Sequence, residues 1–92
     1  MNYLHRELDL DSGDVVQVTL DGQANVMLLD PSNYEAYRNG RPYHYHGGHA
    51  QTSPVRLEVP HGGKWHVVVD LGGNAGRVRA GVGVLRGNLA VR

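Results

Sequence analysis

Between Ser53 and Leu85 the chain alternates apolar and polar residues in three successive runs. Val55, Leu57 and Val59 alternate with Arg56 and Glu58. Trp65, Val67, Val69 and Leu71 share one face, with Lys64, His66 and Asp70 opposite. Val78, Ala80, Val82 and Val84 alternate with Arg77, Arg79, Gly81 and Gly83. A period of two with one apolar face predicts half-buried antiparallel strands. The amino-terminal half carries the same signature. Leu4, Leu8 and Leu10 lie opposite His5, Glu7 and Asp9, and Val16, Val18 and Leu20 lie opposite Gln17 and Thr19. Ala24 to Leu29 supplies another strand.

The punctuation between these runs is turn chemistry. Asp11-Ser12-Gly13-Asp14 and Pro60-His61-Gly62-Gly63 read as turns, Asp21-Gly22 as a hairpin signal, and Gly72-Gly73-Asn74-Ala75-Gly76 as a glycine-rich hairpin. One short helix is expected after the third strand. Asp30 or Ser32 caps it, Pro31 suits its first turn, Ser32 to Glu35 fits a capping box, and Gly40 ends it. Tyr34 and Tyr37 would share one side of that helix, against the sheet edge. Residues 41–52 show no period and read as an irregular loop, functional or poorly ordered. Six strands in hairpin steps plus this helix predict an all-β fold: an antiparallel two-sheet β-sandwich, jelly-roll or immunoglobulin-like in style, with a closed β-barrel as the alternative. Residues 1–92 are expected to form a single domain, with a loose tail over 87–92.

Composition narrows the function classes. Trp65 is the sole tryptophan and phenylalanine is absent, so Trp65 is expected at the aromatic centre of the core. Nine basic residues balance nine acidic ones, leaving no electrostatic footprint for nucleic acid or an anionic membrane. Acids are concentrated in the first 35 residues, whereas Arg77, Arg79, Arg86 and Arg92 sit near the end, an asymmetry that favours head-to-tail contact between copies. Without cysteine there is no disulfide or thiol chemistry. That absence in so small a domain, and an amino-terminus unlike a signal peptide, favour the cytoplasm.

Four features bear on chemistry. His44, His46 and His49 are spaced so that a divalent metal such as zinc is conceivable, with His61 or His66 as a further ligand; the competing reading is a solvated loop. The Gly72–Gly76 run precedes a strand rather than a helix, so it reads as a turn and not a phosphate cradle. Arg77, Arg79, Gly81 and Gly83 form a strand face stripped of bulk, which suits internal packing or contact with a second copy. Tyr34, Tyr37, Tyr43 and Tyr45, with Arg38 and Arg41, have the composition of a recognition surface, against the plainer reading of a cover for one end of the sandwich. Ser12, Ser32 and Ser53 sit in turn or cap contexts, and no catalytic constellation emerges. Asp70 is expected to pair with Arg77 or Arg79.

The run Leu28-Leu29-Asp30-Pro31-Ser32-Asn33-Tyr34, then Tyr37, Gly47-Gly48, the segment Ser53 to Pro60, the segment Trp65 to Gly73, and Val78-Arg79-Ala80 resemble a small bacterial family catalogued as a domain of unknown function. Members stand alone or are attached to Toll/interleukin-receptor-like (TIR) domains. The resemblance spans roughly residues 3–86 and implies no reaction. A looser similarity, through Leu29-Asp30, Tyr34, Tyr37, Val59-Pro60, Gly63 and Trp65, is to the GOLD-type β-sandwich of cargo receptors, which implies protein recognition. The expected function is therefore a non-enzymatic interaction module with a protein partner, self-associating and acting in sensing or scaffolding. A metal-binding protein or small metalloenzyme using His44, His46 and His49, and a carbohydrate-binding module, are the alternatives.

Overall fold

A computed structural model describes residues 3–73 and 76–87. Seven strands and one helix follow in the order β1 (Tyr3–Leu10), β2 (Val15–Leu20), β3 (Ala24–Leu29), α1 (Pro31–Arg38), β4 (His46–Ala50), β5 (Val55–Glu58), β6 (Gly63–Asp70) and β7 (Ala80–Leu85). They form a four-stranded sheet, β1-β6-β3-β4, and a three-stranded sheet, β5-β2-β7, both antiparallel. The arrangement is sandwich-like and mostly β, and neither sheet closes into a barrel. No helix among the described residues is long and apolar enough to cross a membrane. Gly87 is described, but the remainder of the expected tail, residues 88–92, lies outside the described residues.

The turns differ from expectation. Asp21-Gly22 does not close a hairpin, because β2 and β3 belong to different sheets. The later strands repeat this: β5, β6 and β7 alternate between sheets, so Pro60–Gly63 is a corner that steps from one layer to the other, and β6 and β7 are not a hairpin pair; Asn74 and Ala75 of the expected glycine-rich hairpin lie outside the described residues. Turn chemistry encodes a reversal of direction; it does not encode whether the returning strand pairs with its predecessor or crosses about 10 Å to the facing sheet. Residues 41–52 also correct the expectation of a continuous loop. His46–Ala50 pairs with β3, His49 opposite Asn25 and Gly47 opposite Met27. Gly47 is obligatory there: its φ is +117°, and a Cβ would collide with the Val26 carbonyl.

Between the sheets lies the main core. Val16 and Val18 of β2, Val26 and Leu28 of β3, and Trp65, Val67 and Val69 of β6 are all buried, joined by Leu10 and Val59. Trp65 occupies this core as composition suggests, its indole N–H donating to the His61 carbonyl at 3.0 Å. The four-stranded sheet is not half-buried, however. Its outer face carries Met27, Leu29 and Val68, which α1 covers with Tyr34 and Tyr37. The helix therefore packs over the central strands β3 and β6 rather than against an edge. Asp30 caps it, accepting from the Asn33 N–H at 2.8 Å. Gly40, at φ +68°, ends it in a Schellman arrangement: Arg41 N–H donates to the Ala36 carbonyl at 2.9 Å and Gly40 N–H to that of Tyr37 at 3.4 Å.

A second fastening ties the end of β7 to the corner between β1 and β2. Asp14, fully buried, accepts from Asp11 N–H at 2.8 Å, Gly87 N–H at 3.0 Å and the Arg86 guanidinium at 2.7 Å. The Asp11 N–H, ahead of the other donors, holds its carboxyl below the ordinary range against the opposing effect of burial.

Because Leu28 is sealed between the sheets while Leu85 is half-exposed, Leu28→Ala should cost about 2–5 kcal/mol in urea unfolding. Leu85→Ala should stay within about 0.5 kcal/mol. Equal costs would mean that the core is not where this packing puts it.

Candidate functional site

On the outer face of the four-stranded sheet, register dictates which side chains meet. Tyr3, His5 and Glu7 of β1 lie beside Asp70, Val68 and His66 of β6, and Asn25, Met27 and Leu29 of β3 flank them on the other side. With α1 laid across this surface, the polar groups resolve into two clusters.

The first is a stack around Tyr34. His5 Nε2 and His66 Nδ1 are 2.7 Å apart, one imidazole donating and the other accepting. The two rings are nearly coplanar, at 13°, and each lies flat on the Tyr34 ring with centroids 4.3 Å away. Tyr34 and Tyr3 share a hydrogen bond between their hydroxyls at 3.1 Å. Arg38 reaches over the Tyr34 ring, 5.8 Å from its centroid, and also approaches Glu35 at 3.5 Å. Burial, reinforced by the bond to Tyr3, pushes the Tyr34 hydroxyl up to about 12. Burial also lowers both histidines, His66 further by the proximity of His5; Glu7, with an oxygen 4.0 Å from His66 Nε2, works in the opposite direction.

The second cluster surrounds Asp70, whose side chain is buried. Its Oδ2 accepts from the Tyr37 hydroxyl at 2.6 Å. Its Oδ1 accepts from the Asn25 amide at 2.8 Å and from Gly72 N–H at 2.9 Å. The expected pairing with Arg77 or Arg79 is therefore not made; Arg79 instead bonds Asp21 through its backbone, N–H to Oδ1 at 2.7 Å. The reason is parity: Asp70 faces the helix, away from the sheet that contains β7. Gly72 supports the arrangement at φ +63°, where a Cβ would press on the Asn25 amide at 2.9 Å.

Beside Asp70 opens a groove of about 440 Å³, lined by Tyr37, Tyr43, Tyr45, Asn25, Met27 and the Gly72-Gly73 turn. Its tyrosines contact one another in series. Tyr37 and Tyr43 meet edge to face, with centroids 5.3 Å apart at 89°, and Tyr43 and Tyr45 are tilted at 5.7 Å and 43°. Burial and the Asp70 carboxylate raise the hydroxyls of Tyr37 and Tyr43 above the ordinary range. Tyr45 projects its ring to solvent, 46% exposed.

Of the recognition residues expected from sequence, the fold thus brings together Tyr37, Tyr43 and Tyr45. Tyr34 belongs to the histidine stack, Arg38 lies on the helix beside Glu35, and Arg41 flanks a shallow depression with Ser32 and Pro42. The histidines expected as metal ligands are dispersed. His44 is held through its backbone N–H by Asn33 Oδ1 at 2.8 Å. His46 lies against Trp65, centroids 5.9 Å apart, and His49 contacts Gln23 Oε1 at 3.1 Å. His61 also contacts Trp65, with ring centroids 4.9 Å apart. Among the described residues no three His, Cys, Asp or Glu side chains converge as a metal site. The expected strand face is only partly formed: Arg77 and Arg79 precede β7, and on the strand Gly81 lies so close to Thr19 that a Cβ would stand 2.9 Å from its hydroxyl. Gly83 has open space. Asp70, Asn25, Gly72 and His5 are site residues that the sequence does not single out, and His66, expected there as a further metal ligand, belongs instead to the histidine stack. Their shared parity on three strands was available, but the helix that makes their face an interior was not assigned to it.

Since both stacked histidines titrate below their ordinary value of 6.5, the folded state binds fewer protons than the unfolded chain just below that value. Their contribution is complete above it and is lost as pH falls through the lowered values. Urea midpoints should drop between about pH 7 and about pH 5, and a His5→Gln, His66→Gln double variant should flatten that limb. An unchanged slope in the variant would assign the limb to other groups.

No curated protein and no solved structure gives a significant match to the chain. A family model does: residues 1–88 match the family described as "Domain of unknown function (DUF1883)", and the chain belongs to that family.

Proposed function

We propose that this domain is a non-enzymatic binding module whose recognition surface is the tyrosine groove on the outer face of the four-stranded sheet. The observation that carries the reading is the construction of its wall. A buried carboxylate is costly unless fully hydrogen-bonded, and here Tyr37, Asn25 and Gly72 all bond Asp70 at the edge of an open groove. A rigid aromatic surface with a few fixed polar groups is the common form of a ligand site. The hydroxyls of Ser12 and Ser53 are engaged with backbone groups, which fits binding better than nucleophilic catalysis. The resemblance to modules attached to TIR domains favours an accessory sensing or scaffolding role inside the cell. A fragment screen by NMR on the ¹⁵N-labelled full chain should give hits whose shifts cluster at Asn25, Tyr43, Gly48 and Gly72 and vanish in Tyr45→Ala. Hits scattered over other faces would overturn the assignment of the site.

Self-association through β7 is a second reading, favoured by the contrast among sheet edges. The edge strands β1 and β5 carry charges, Arg6, Glu7 and Asp9 on one and Arg56 and Glu58 on the other, as edges that avoid pairing do. β4 is interrupted by two glycines at positive φ. β7, Ala80-Gly81-Val82-Gly83-Val84-Leu85, has neither protection and ends on the exposed Leu85. Light scattering should show a concentration-dependent dimer that Gly83→Lys abolishes, because that position has room for a side chain in the isolated chain. A monomer at all concentrations would remove this reading and leave the groove untouched.

A further inference from the structure

Asp70 poses a question of charge that its hydrogen bonds do not answer. Every contact it makes is from a donor: a phenol, a carboxamide and a backbone N–H. A carboxyl group that only accepts is in its ionised form, and that charge adds to burial in raising the neighbouring Tyr37 and Tyr43 hydroxyls. Yet the ion pairs among the described residues are Arg38–Glu35, Lys64–Glu7, His66–Glu7 and Arg86–Asp14, and none includes Asp70. The contrast with Asp14 is informative. Both carboxylates are buried and both receive backbone N–H bonds, but Asp14 also has a guanidinium at 2.7 Å. Asp70 has aromatic rings and an open groove where its counter-ion would be.

The rings favour the same sign of charge. Tyrosine presents a negative π-face, and a cation over such faces gains more as it is desolvated. Tyr37, Tyr43 and Tyr45 meet at steep angles, so their faces cannot all be used by one flat ring but can surround a compact, rounded group. Of about four acceptor positions on a carboxylate, the three protein bonds leave one on Oδ2 unused. Besides Asp70 and Asn25, which bonds it, the walls are tyrosine, methionine and glycine, a lining that offers one carboxylate rather than the several hard ligands of a bare metal ion and suits an alkylated cation.

We propose that the groove between Tyr37, Tyr43 and Tyr45 takes an organic ammonium group, an alkylated or lysine-like amine, with Asp70 as its counter-charge. This rests on the groove being the recognition surface, and it specifies the chemistry of what enters. Tyr45, the exposed member, closes over the cation, while Tyr37 holds Asp70 in place.

The test is an NMR titration of the ¹⁵N-labelled full chain with tetramethylammonium chloride, n-butylammonium chloride, the neutral isostere neopentyl alcohol, and maltose, each against sodium chloride at equal ionic strength. Both ammonium salts should shift the amides of Tyr43, Tyr45, Gly48, Gly72 and Gly73, at least about tenfold more tightly than the alcohol, since one order of magnitude is a modest return for a desolvated charge and ring faces together. Tyr45→Ala, at an exposed position, should retain the fold and lose most of the response; Asp70→Asn, where it folds, should abolish the preference for ammonium over alcohol. Equal binding of alcohol and ammonium, or a response to maltose alone, would overturn the cation inference while preserving the groove as a binding surface. Shifts matched by sodium chloride would mark a general ionic effect and overturn it too. No response at the groove to any probe would remove the cation site, and the fragment screen would then decide whether the groove binds at all.

Discussion

The structure depends on β6 being covered on both faces. From Trp65 to Asp70 every residue of that strand is buried. One face closes the space between the sheets, and the other must be roofed by something. The short helix α1 does this, but eight residues are too few to hold a helix in water without tertiary support. Its stability and the burial of β6 are therefore the same free energy viewed from two sides. Tyr34 and Tyr37 supply the contact, and the Asp30 cap and the Gly40 termination fix where the helix begins and ends.

This roof is unusual in being polar beneath. An ordinary sheet–helix interface is filled with aliphatic side chains; this one encloses His66 and Asp70 as well as Val68, Met27 and Leu29. The polar groups are tolerated because each is met. Among the described residues no buried side-chain nitrogen or oxygen lacks a hydrogen-bond partner. Tyrosine suits such an interface, since its ring fills volume as an apolar group does while its hydroxyl answers a carboxylate or another phenol. The same choice of residue gives the roof its mechanical fit and leaves tyrosine faces along its margin, which is where the groove opens.

The parts of this fold legible in the sequence are those carried by local period. The faces of β2, β5 and β6 follow directly from alternation, as does the place of Trp65. The helix, its cap and its end follow from Asp30, Pro31 and Gly40. Less legible was the burial of the second face of β6, although the uninterrupted Val67-Val68-Val69 run carries the mark of a strand covered on both sides. β4 gives no periodic signal because His-Gly-Gly-His-Ala has no apolar face; its place is set by backbone pairing to β3, which composition does not record. The partner of Asp70 is hidden in the sequence for a related reason. Proximity in sequence suggested the arginines after the turn, but the strand's pleat turns Asp70 the other way, toward a helix more than thirty residues earlier in the chain.

Pairing order along the chain also has a temporal side. Among the described residues β1 has its sole strand partner in β6, with Tyr3 opposite Asp70. On a ribosome, then, the first strand emerges with its hydrogen-bonding edge unpaired and keeps it so until nearly the whole domain has been made. β3 must also wait for β6, and only its pairing with β4 can form early. Loop closure across such separations makes folding slow relative to helical proteins of the same size. For this chain the nascent interval is when the charges on β1, Arg6, Glu7 and Asp9, matter most: they guard a strand whose edges stay unpaired until β6 has been made.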